Sequence, residues 1–381
     1  MSISTFSMAN KLITGSDALS QLPDEMIRLG MKNPLIVTDK ILIQAGVVKQ
    51  VQELLPMEAG LFSDVNPEPE IEIVDQCVHV IREGSHDGLI AVGGGSALDI
   101  GKAASVMATN TGRIDEYFGI NQVKVHGLPL VAIPTTAGTG SEVTNISILS
   151  DTAEQVKKGI VSPFLLPDAA IVSPKMTLTC PPSVTAASGV DALVHAIEAY
   201  ISNFASPITD SLAIGAIKLI STHLPIAYAN PGLIESREAM STGSLMAGLA
   251  FGNAGVGAVH ALAYPLGGRF HMAHGVSNSL LLPYVMKWNK TACLERFRDI
   301  AEALGVKADD LSDEEAADAA IEAMIRICRQ VQIPQSLREF NIPESALSEM
   351  AQEAAKQTRL LRNNPRELSV SDMEEIYRAA Y

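Results

Sequence analysis

Cysteine is scarce in this chain, and basic charge is in the minority. Cys77, Cys180, Cys293 and Cys328 stand 103, 113 and 35 residues apart. No CxxC pair exists, which excludes a thiolate zinc site and a redox dithiol. Lys and Arg number 28 against 43 Asp and Glu, a net charge of −15, and the deficit is even: −8 through residue 180 and −7 beyond it. Neither half is a basic module, so nucleic acid is not an expected partner. The start, MSISTFSMANKLITGSD, has no basic patch followed by an apolar run. No secretory signal is expected there, and the chain is read as cytoplasmic. Charge is missing altogether from Ala239 to Gly268, 30 residues that imitate a membrane span. Seven glycines, two serines, a threonine, an asparagine and a histidine interrupt it. Lipid would penalise those groups, so the stretch reads as buried helices of a soluble protein, with no membrane partner.

What is present is ordinary globular composition: 381 residues, 47% hydrophobic and 19% charged, enough for two domains. Through residue 180, short runs rich in branched aliphatics alternate with amphipathic stretches. Leu35 to Thr38, Leu89 to Val92, Pro129 to Ile133, Ile146 to Leu149 and Ala169 to Val172 read as strands. Asp17 to Leu29, Lys40 to Leu55 and Glu70 to Glu83 read as helices, the first with Asp17 as N-cap and Gly30 as C-cap. Strand–helix alternation implies a parallel sheet covered on both faces. After Pro181-Pro182 strand signals almost vanish. Thr185 to Tyr200, Ser206 to Leu219, Glu235 to Phe251, Ala292 to Leu304 and Glu314 to Val331 read as helices. The expectation is an α/β domain over 1–180 and an all-helical domain over 181–381, with ligands favouring the cleft between such domains.

Gly93-Gly94-Gly95-Ser96 follows one strand and opens a helical segment. Glycines there let the backbone approach a phosphate, and the new helix offers free N–H groups. A tight strand–helix turn without a ligand fits the same residues, since the spacing is neither GxGxxG nor GxxxxGK[ST]. Pro134 to Thr144, PTTAGTGSEVT, follows the next strand and is dense in small residues and hydroxyls. Two such loops on one sheet edge suggest a dinucleotide. Asp39 ends the strand at Thr38, where a carboxylate can accept the ribose hydroxyls of adenosine and repel a 2′-phosphate, favouring NAD over NADP; capping the helix that begins at Lys40 is its other reading.

Asp191 and His195, spaced i and i+4, project from one helical face. Such a pair is a salt bridge or the start of a metal site. His260 sits in the uncharged stretch among glycines and alanines, and His274 follows 14 residues later. A lone buried histidine reads as a core residue. Together, Asp191, His195, His260 and His274 make one oxygen and three nitrogen donors, which suit iron or zinc and not calcium or magnesium.

The segments GGGSALDIGK at 93–102, PTTAGTGSEVT at 134–144, GVDALVHAIEAY at 189–200 and HALAYPLGG with HMAHGVSN across 260–278 resemble the iron-containing (group III) alcohol dehydrogenase family. The tail NNPRELSVSDMEEIYRAAY does too, so the resemblance covers essentially the whole chain. It implies NAD(P)-dependent oxidation of a small primary alcohol or reduction of an aldehyde, with iron or sometimes zinc, in a homodimer or larger homo-oligomer. It implies that 1–180 is an α/β dinucleotide-binding domain and 181–381 an all-helical metal-binding domain, with metal ligands at Asp191, His195, His260 and His274. It implies nucleotide contacts at Asp39, Gly94, Gly95, Ser96, Asp99, Thr135, Thr136 and Lys158. Without the resemblance, Lys158 reads as a solvated charge on a strand edge and Asp99 as a first-turn helix cap. Many members carry H-x-x-x-H where this chain has Tyr264, a position tied to proton relay or positioning. Branches acting on 4-hydroxybutyrate or other hydroxyacids resemble this chain in having tyrosine there, so a hydroxyacid is the alternative substrate. Arg269 is then either a carboxylate partner or structural. A lyase resembling dehydroquinate synthase shares the architecture, but its phosphonate substrate requires basic residues that this helical segment lacks. Retention of all four ligands and both loops argues against a non-catalytic relative.

Overall fold

The computed structural model describes residues 3–152 and 156–381. They form two compact units: Phe6–Cys180, and Pro181–Tyr381 together with the chain start through Thr5. Residues 3–5 therefore group with the helical unit and not with the α/β unit.

Among the described residues of the α/β unit nine strands appear in chain order: β1 Leu12–Thr14, β2 Pro34–Val37, β3 Gly60–Phe62, β4 Gly88–Gly93, β5 Gly119–Ile120, β6 Leu130–Pro134, β7 Ile146–Asp151, β8 Val156–Val161 and β9 Ala169–Val172. Six of them make a sheet in the order β1-β9-β6-β4-β2-β3, parallel throughout. The helices are α1 Leu22–Leu29, α2 Lys40–Gln44, α3 Val47–Gln52, α4 Ile71–Glu83 and α5 Gly95–Thr109. Successive strand residues point to opposite faces, and both faces are apolar. Leu35, Val37, Leu89, Ala91, Leu130 and Ala132 pack with α4 and α5, whereas Ile36, Ile90, Val92, Val131, Ile133 and Ile171 pack with α1 and α3. A small second sheet, β5-β8-β7, lies apart from the first; β7 and β8 are antiparallel.

Two local expectations change. The stretch from Lys40 to Leu55 is two helices, because Gly46 takes a left-handed φ of 75° between α2 and α3. Asp17 precedes a single 3-10 turn, Ala18–Gln21, without capping it; its carboxylate pairs with Lys175 instead, and α1 begins at Leu22. Gly30 does end α1 in the left-handed conformation, at φ 72°. The edge strands β1 and β3 went unread, each only three residues long.

The helical unit continues with α6 Pro182–Ile201, α7 Pro207–Ala229, α8 Ile234–Ala254, α9 Ala258–Phe270, α10 His274–Asn289, α11 Leu294–Ala303, α12 Asp313–Gln330, α13 Leu347–Ala354, α14 Thr358–Leu361 and α15 Val370–Ala379. From Gly189 to Ile201 every residue of α6 is buried, which makes it the axis of the unit. The uncharged stretch is two helices, α8 and α9, bent by 102° at the break between them. Gly255 makes that turn at φ 80°. By length and composition α7 is the one helix among the described residues able to cross a membrane; it packs along α6 and α8. It runs ten residues past the expected end at Leu219, through Pro225.

Candidate metal and nucleotide sites

In the helical unit, α6 presents Asp191, His195 and Glu198 at i, i+4 and i+7, one face of one buried helix. His260 lies in the first turn of α9, and His274 is the first residue of α10. Gly275 explains how α10 reaches α6: a Cβ there would lie 2.5 Å from the Ala187 carbonyl oxygen. One donor atom from each of Asp191, His195, His260 and His274 lies within 4.8 Å of all the others. The His195 ring stacks on Phe251 at 4.2 Å and on His260 at 4.8 Å between centroids.

The two carboxylate oxygens of Asp191 face His195 Nε2 and His274 Nε2, each at 4.0 Å. That is too long for a hydrogen bond. It is within the span of two atoms sharing one ion at about 2.0–2.2 Å each. Burial pushes the Asp191 carboxyl up, but the surrounding imidazoles and the Asn278 amide outweigh it and hold it below its ordinary value. Asn278 Nδ2 is 2.7 Å from Asp191 Oδ1 and 3.1 Å from both His260 Nε2 and His274 Nε2. Three acceptors thus converge on one electropositive amide nitrogen, and the Oδ1 of the same amide is buried with no hydrogen-bond partner among the described residues. The donor set and this polar focus fit a divalent transition ion. Glu198 Oε2 is 2.6 Å from His260 Nδ1, and Glu198 Oε1 accepts from the Val259 N–H at 2.7 Å. Tyr264 follows His260 by one helical turn and is half-buried.

In the α/β unit, the two small-residue loops leave the carboxyl ends of the adjacent strands β4 and β6 and are joined by Thr135 N–H donating to Gly93 O at 2.9 Å. A Cβ on Gly95 would meet the Thr139 side chain at 2.7 Å, so only glycine lets the loops close on each other here. Gly94 sits at the N-cap of α5 and offers no side-chain cap to the first N–H groups of the helix. Thr135 is buried and Thr136 half-buried. The Ser96 hydroxyl donates to Pro67 O at 2.5 Å. Asp39 caps α2, its Oδ1 accepting from Leu42 N at 2.9 Å, so its structural reading holds whatever else it binds. Asp99 accepts from the Ser141 hydroxyl and from Ile148 N at 2.9 Å, and so ties α5 to the threonine-rich loop. Lys158 pairs with Asp151 at 2.7 Å and lies over the Phe118 ring. Arg269 takes the structural alternative, its guanidinium paired with Glu349 and Glu353.

Sequence reasoning passed over Glu198, Asn278, Lys102 and Glu142. The signal for the first two was helical spacing from a ligand: Glu198 three residues after His195, Asn278 four after His274. Lys102 is wholly buried and donates to Ser141 Oγ at 2.6 Å, Thr144 Oγ1 at 3.1 Å and Ile146 O at 2.8 Å. Burial brings its ammonium down to about 8, against the pull of Asp99 and Glu142. Burial likewise pushes Glu142 up to about 7.

Comparison with known proteins places this geometry. The profile of iron-containing alcohol dehydrogenases matches residues 9–174, and that of the family's C-terminal domain matches 185–381. The chain is 48% identical to long-chain-alcohol dehydrogenase 1 of Geobacillus thermodenitrificans (strain NG80-2), over 96% of this chain and 94% of the relative. It is 42% identical to 1,3-propanediol dehydrogenase of Citrobacter freundii, over 96% of both. The crystal structure of 1,3-propanediol oxidoreductase superposes with a TM-score of 0.98 at 39% identity, covering 100% of both chains. Sulfoacetaldehyde reductase from Bifidobacterium kashiwanohense in complex with NAD+ superposes at 0.90 with 30% identity, over 100% of this chain and 99% of that one. The relatives are oxidoreductases of the alcohol–aldehyde pair, and so is this enzyme. The chain belongs to the iron-containing alcohol dehydrogenase family.

Proposed function

We propose that the chain is an NAD-linked dehydrogenase of small primary alcohols, equally an aldehyde reductase, whose divalent ion is held by Asp191, His195, His260 and His274. Ferrous iron is the proposed ion, and zinc suits the same donors. The carrying observation is the convergence of one carboxylate and three imidazoles from three helices within 4.8 Å. Bound there, the ion supplies Lewis acidity toward the substrate oxygen, and NAD supplies the hydride chemistry.

The chain's own groups bind, orient and move protons. Asp191 brings the negative charge of the ligand set. Stacking on Phe251 holds the His195 ring in place. Tyr264 hydrogen-bonds the substrate oxygen or a water leading outward; a phenol with an unperturbed pKa of ~10 is too weak a base to be the principal proton acceptor near neutrality. Gly94, Gly95, Ser96, Thr135 and Thr136 hold the dinucleotide phosphates. Asp39 selects NAD over NADP through the ribose hydroxyls. Asp99 and Lys158 support the same subsite, Asp99 through the threonine-rich loop it already ties down. A hydroxyacid substrate has less support, since Arg269 already faces two carboxylates. The enzyme is proposed to work in the cytoplasm as a homodimer or larger homo-oligomer.

The test is anaerobic reconstitution of chelated protein with Fe2+ or Zn2+, followed by NADH and NADPH oxidation with short aldehydes and semialdehydes. We expect about one ion per chain, metal-dependent turnover, preference for NADH and for uncharged aldehydes, and loss of both metal and turnover in His260→Ala. Full activity after chelation, or a His260→Ala protein that keeps its metal, overturns the reading.

A further inference from the structure

We infer that Glu198 is a positioning residue for the metal site: it fixes the tautomer of His260 and, in the same stroke, caps the helix that carries it. The inference rests on the metal reading above and deepens it.

The first turn of α9 lacks a conventional cap. Its N-cap is Gly257, which has no side chain to offer. The orphaned N–H groups are met from elsewhere in the unit: Ala258 N donates to Asn364 Oδ1 at 3.2 Å and Val259 N to Glu198 Oε1 at 2.7 Å. Gly257 is bare for that reason. A Cβ there would lie 2.9 Å from Asn364 Oδ1 and 3.3 Å from Glu198 Oε1. Asn364 is itself held, accepting from Asn289 Nδ2 at 2.9 Å and donating to Asn289 Oδ1 at 2.7 Å. The two remote side chains replace the missing cap, and His260 is the next residue along.

The second oxygen of Glu198 decides which nitrogen of His260 is available. A carboxylate accepts hydrogen bonds, so Oε2 at 2.6 Å from Nδ1 puts the imidazole proton on Nδ1. The Asn278 amide independently approaches Nε2 at 3.1 Å, where its N–H needs a lone pair. Both contacts leave Nε2 without a proton, its lone pair on the side of the ring where the donor atoms of Asp191, His195 and His274 gather.

Glutamine is the informative replacement because it keeps size and loses one acceptor. Glu198 faces two donors, Val259 N–H and His260 Nδ1–H. A carboxamide can accept from only one. If its oxygen serves His260, its NH2 confronts the Val259 N–H. If its oxygen serves Val259, its NH2 donates to Nδ1, and the imidazole proton moves to Nε2, which removes the lone pair an ion needs.

The experiment compares wild type, Glu198→Gln and Asn364→Ala by chelator competition for Zn2+ and by 15N chemical shifts of the His260 ring in the chelated protein. Glu198→Gln is expected to weaken Zn2+ about 10–100-fold and to shift the ring away from the pure Nδ1–H form. Asn364→Ala removes the neighbouring cap without touching the imidazole; it should lower the melting temperature while changing affinity less than threefold. Glu198→Asp, one methylene shorter with both acceptors kept, should fall between wild type and Gln, and it carries the test if Gln does not fold. Wild-type affinity with an unchanged tautomer in Glu198→Gln overturns the inference. So do equal affinity losses in Glu198→Gln and Asn364→Ala, which reduce Glu198 to a helix cap. A wild-type protein that takes up no Zn2+ or Fe2+ at this site defeats the metal reading instead.

Discussion

Glu142 shows how a single buried acid can set the pH response of the threonine-rich loop. It lies 3% exposed beside Lys102, and its carboxyl is raised from 4.5 to about 7 by burial. The folded chain therefore binds its proton more tightly than the unfolded chain does. The stability this provides is complete below about pH 4.5 and is lost as pH climbs through about 7. A shift of that size corresponds to about 3 kcal/mol. Glu142→Gln cannot titrate, so denaturant unfolding from pH 4.5 to 7 should lose about that much less stability than wild type; parallel curves for the two proteins would show that Glu142 is ionised throughout. Residues of this kind were hard to read because charge in a sequence gives no hint of depth. Glu142 stands among threonines and serines, and Glu198, though on the same apolar helix as Asp191 and His195, carries no sign in the sequence of its partners on α9. The four ligand candidates were easier: histidines and an aspartate at helical spacing, amid apolar residues, have few other uses.

At the scale of elements, the metal cluster depends on how closely α10 approaches α6. Gly275 is the contact point, and the atom in the way of any side chain is a backbone oxygen, Ala187 O at 2.5 Å, which cannot rotate aside. Gly275→Ala should push the start of α10 outward, carrying His274 from Asp191, at a cost of about 1–3 kcal/mol typical of overpacking. Thermal melting and Zn2+ competition should both register it, the second more strongly than a remote substitution of equal cost; unchanged affinity would mean the helices adjust without moving His274. The central strands were legible because a parallel sheet buried on both faces leaves continuous apolar runs such as Leu89 to Val92. The edge strands were not, since β1 and β3 have three residues each and borrow their conformation from neighbours. The break inside Lys40 to Leu55 turns on one left-handed glycine, which helical periodicity alone does not flag.

For the whole molecule, the alternation of strands and helices followed by helices alone was plain in the chain. The placement of the first few residues was not, because nothing local marks them as belonging with the helical unit. Metal and fold are linked. An ion at about 100 times its Kd adds about 2.7 kcal/mol of stability. A unit of this size gains about 2–4 °C per kcal/mol. Chelation should therefore lower the melting temperature by about 5–10 °C, and Zn2+ should restore it, by differential scanning calorimetry; a transition indifferent to chelator would separate the ion from the folded state. The sheet itself imposes an order on biosynthesis. Its first-made strand, β1, pairs only with β9 among the described strands, and the neighbouring bond from Asn10 to Asp168 joins residues 158 positions apart. At roughly 5–20 residues per second, a ribosome needs about 8–30 s to deliver that partner. Through that interval β1 waits for the partner strand it has in the finished sheet, and the rest of the sheet must be laid down before this outer edge can be closed.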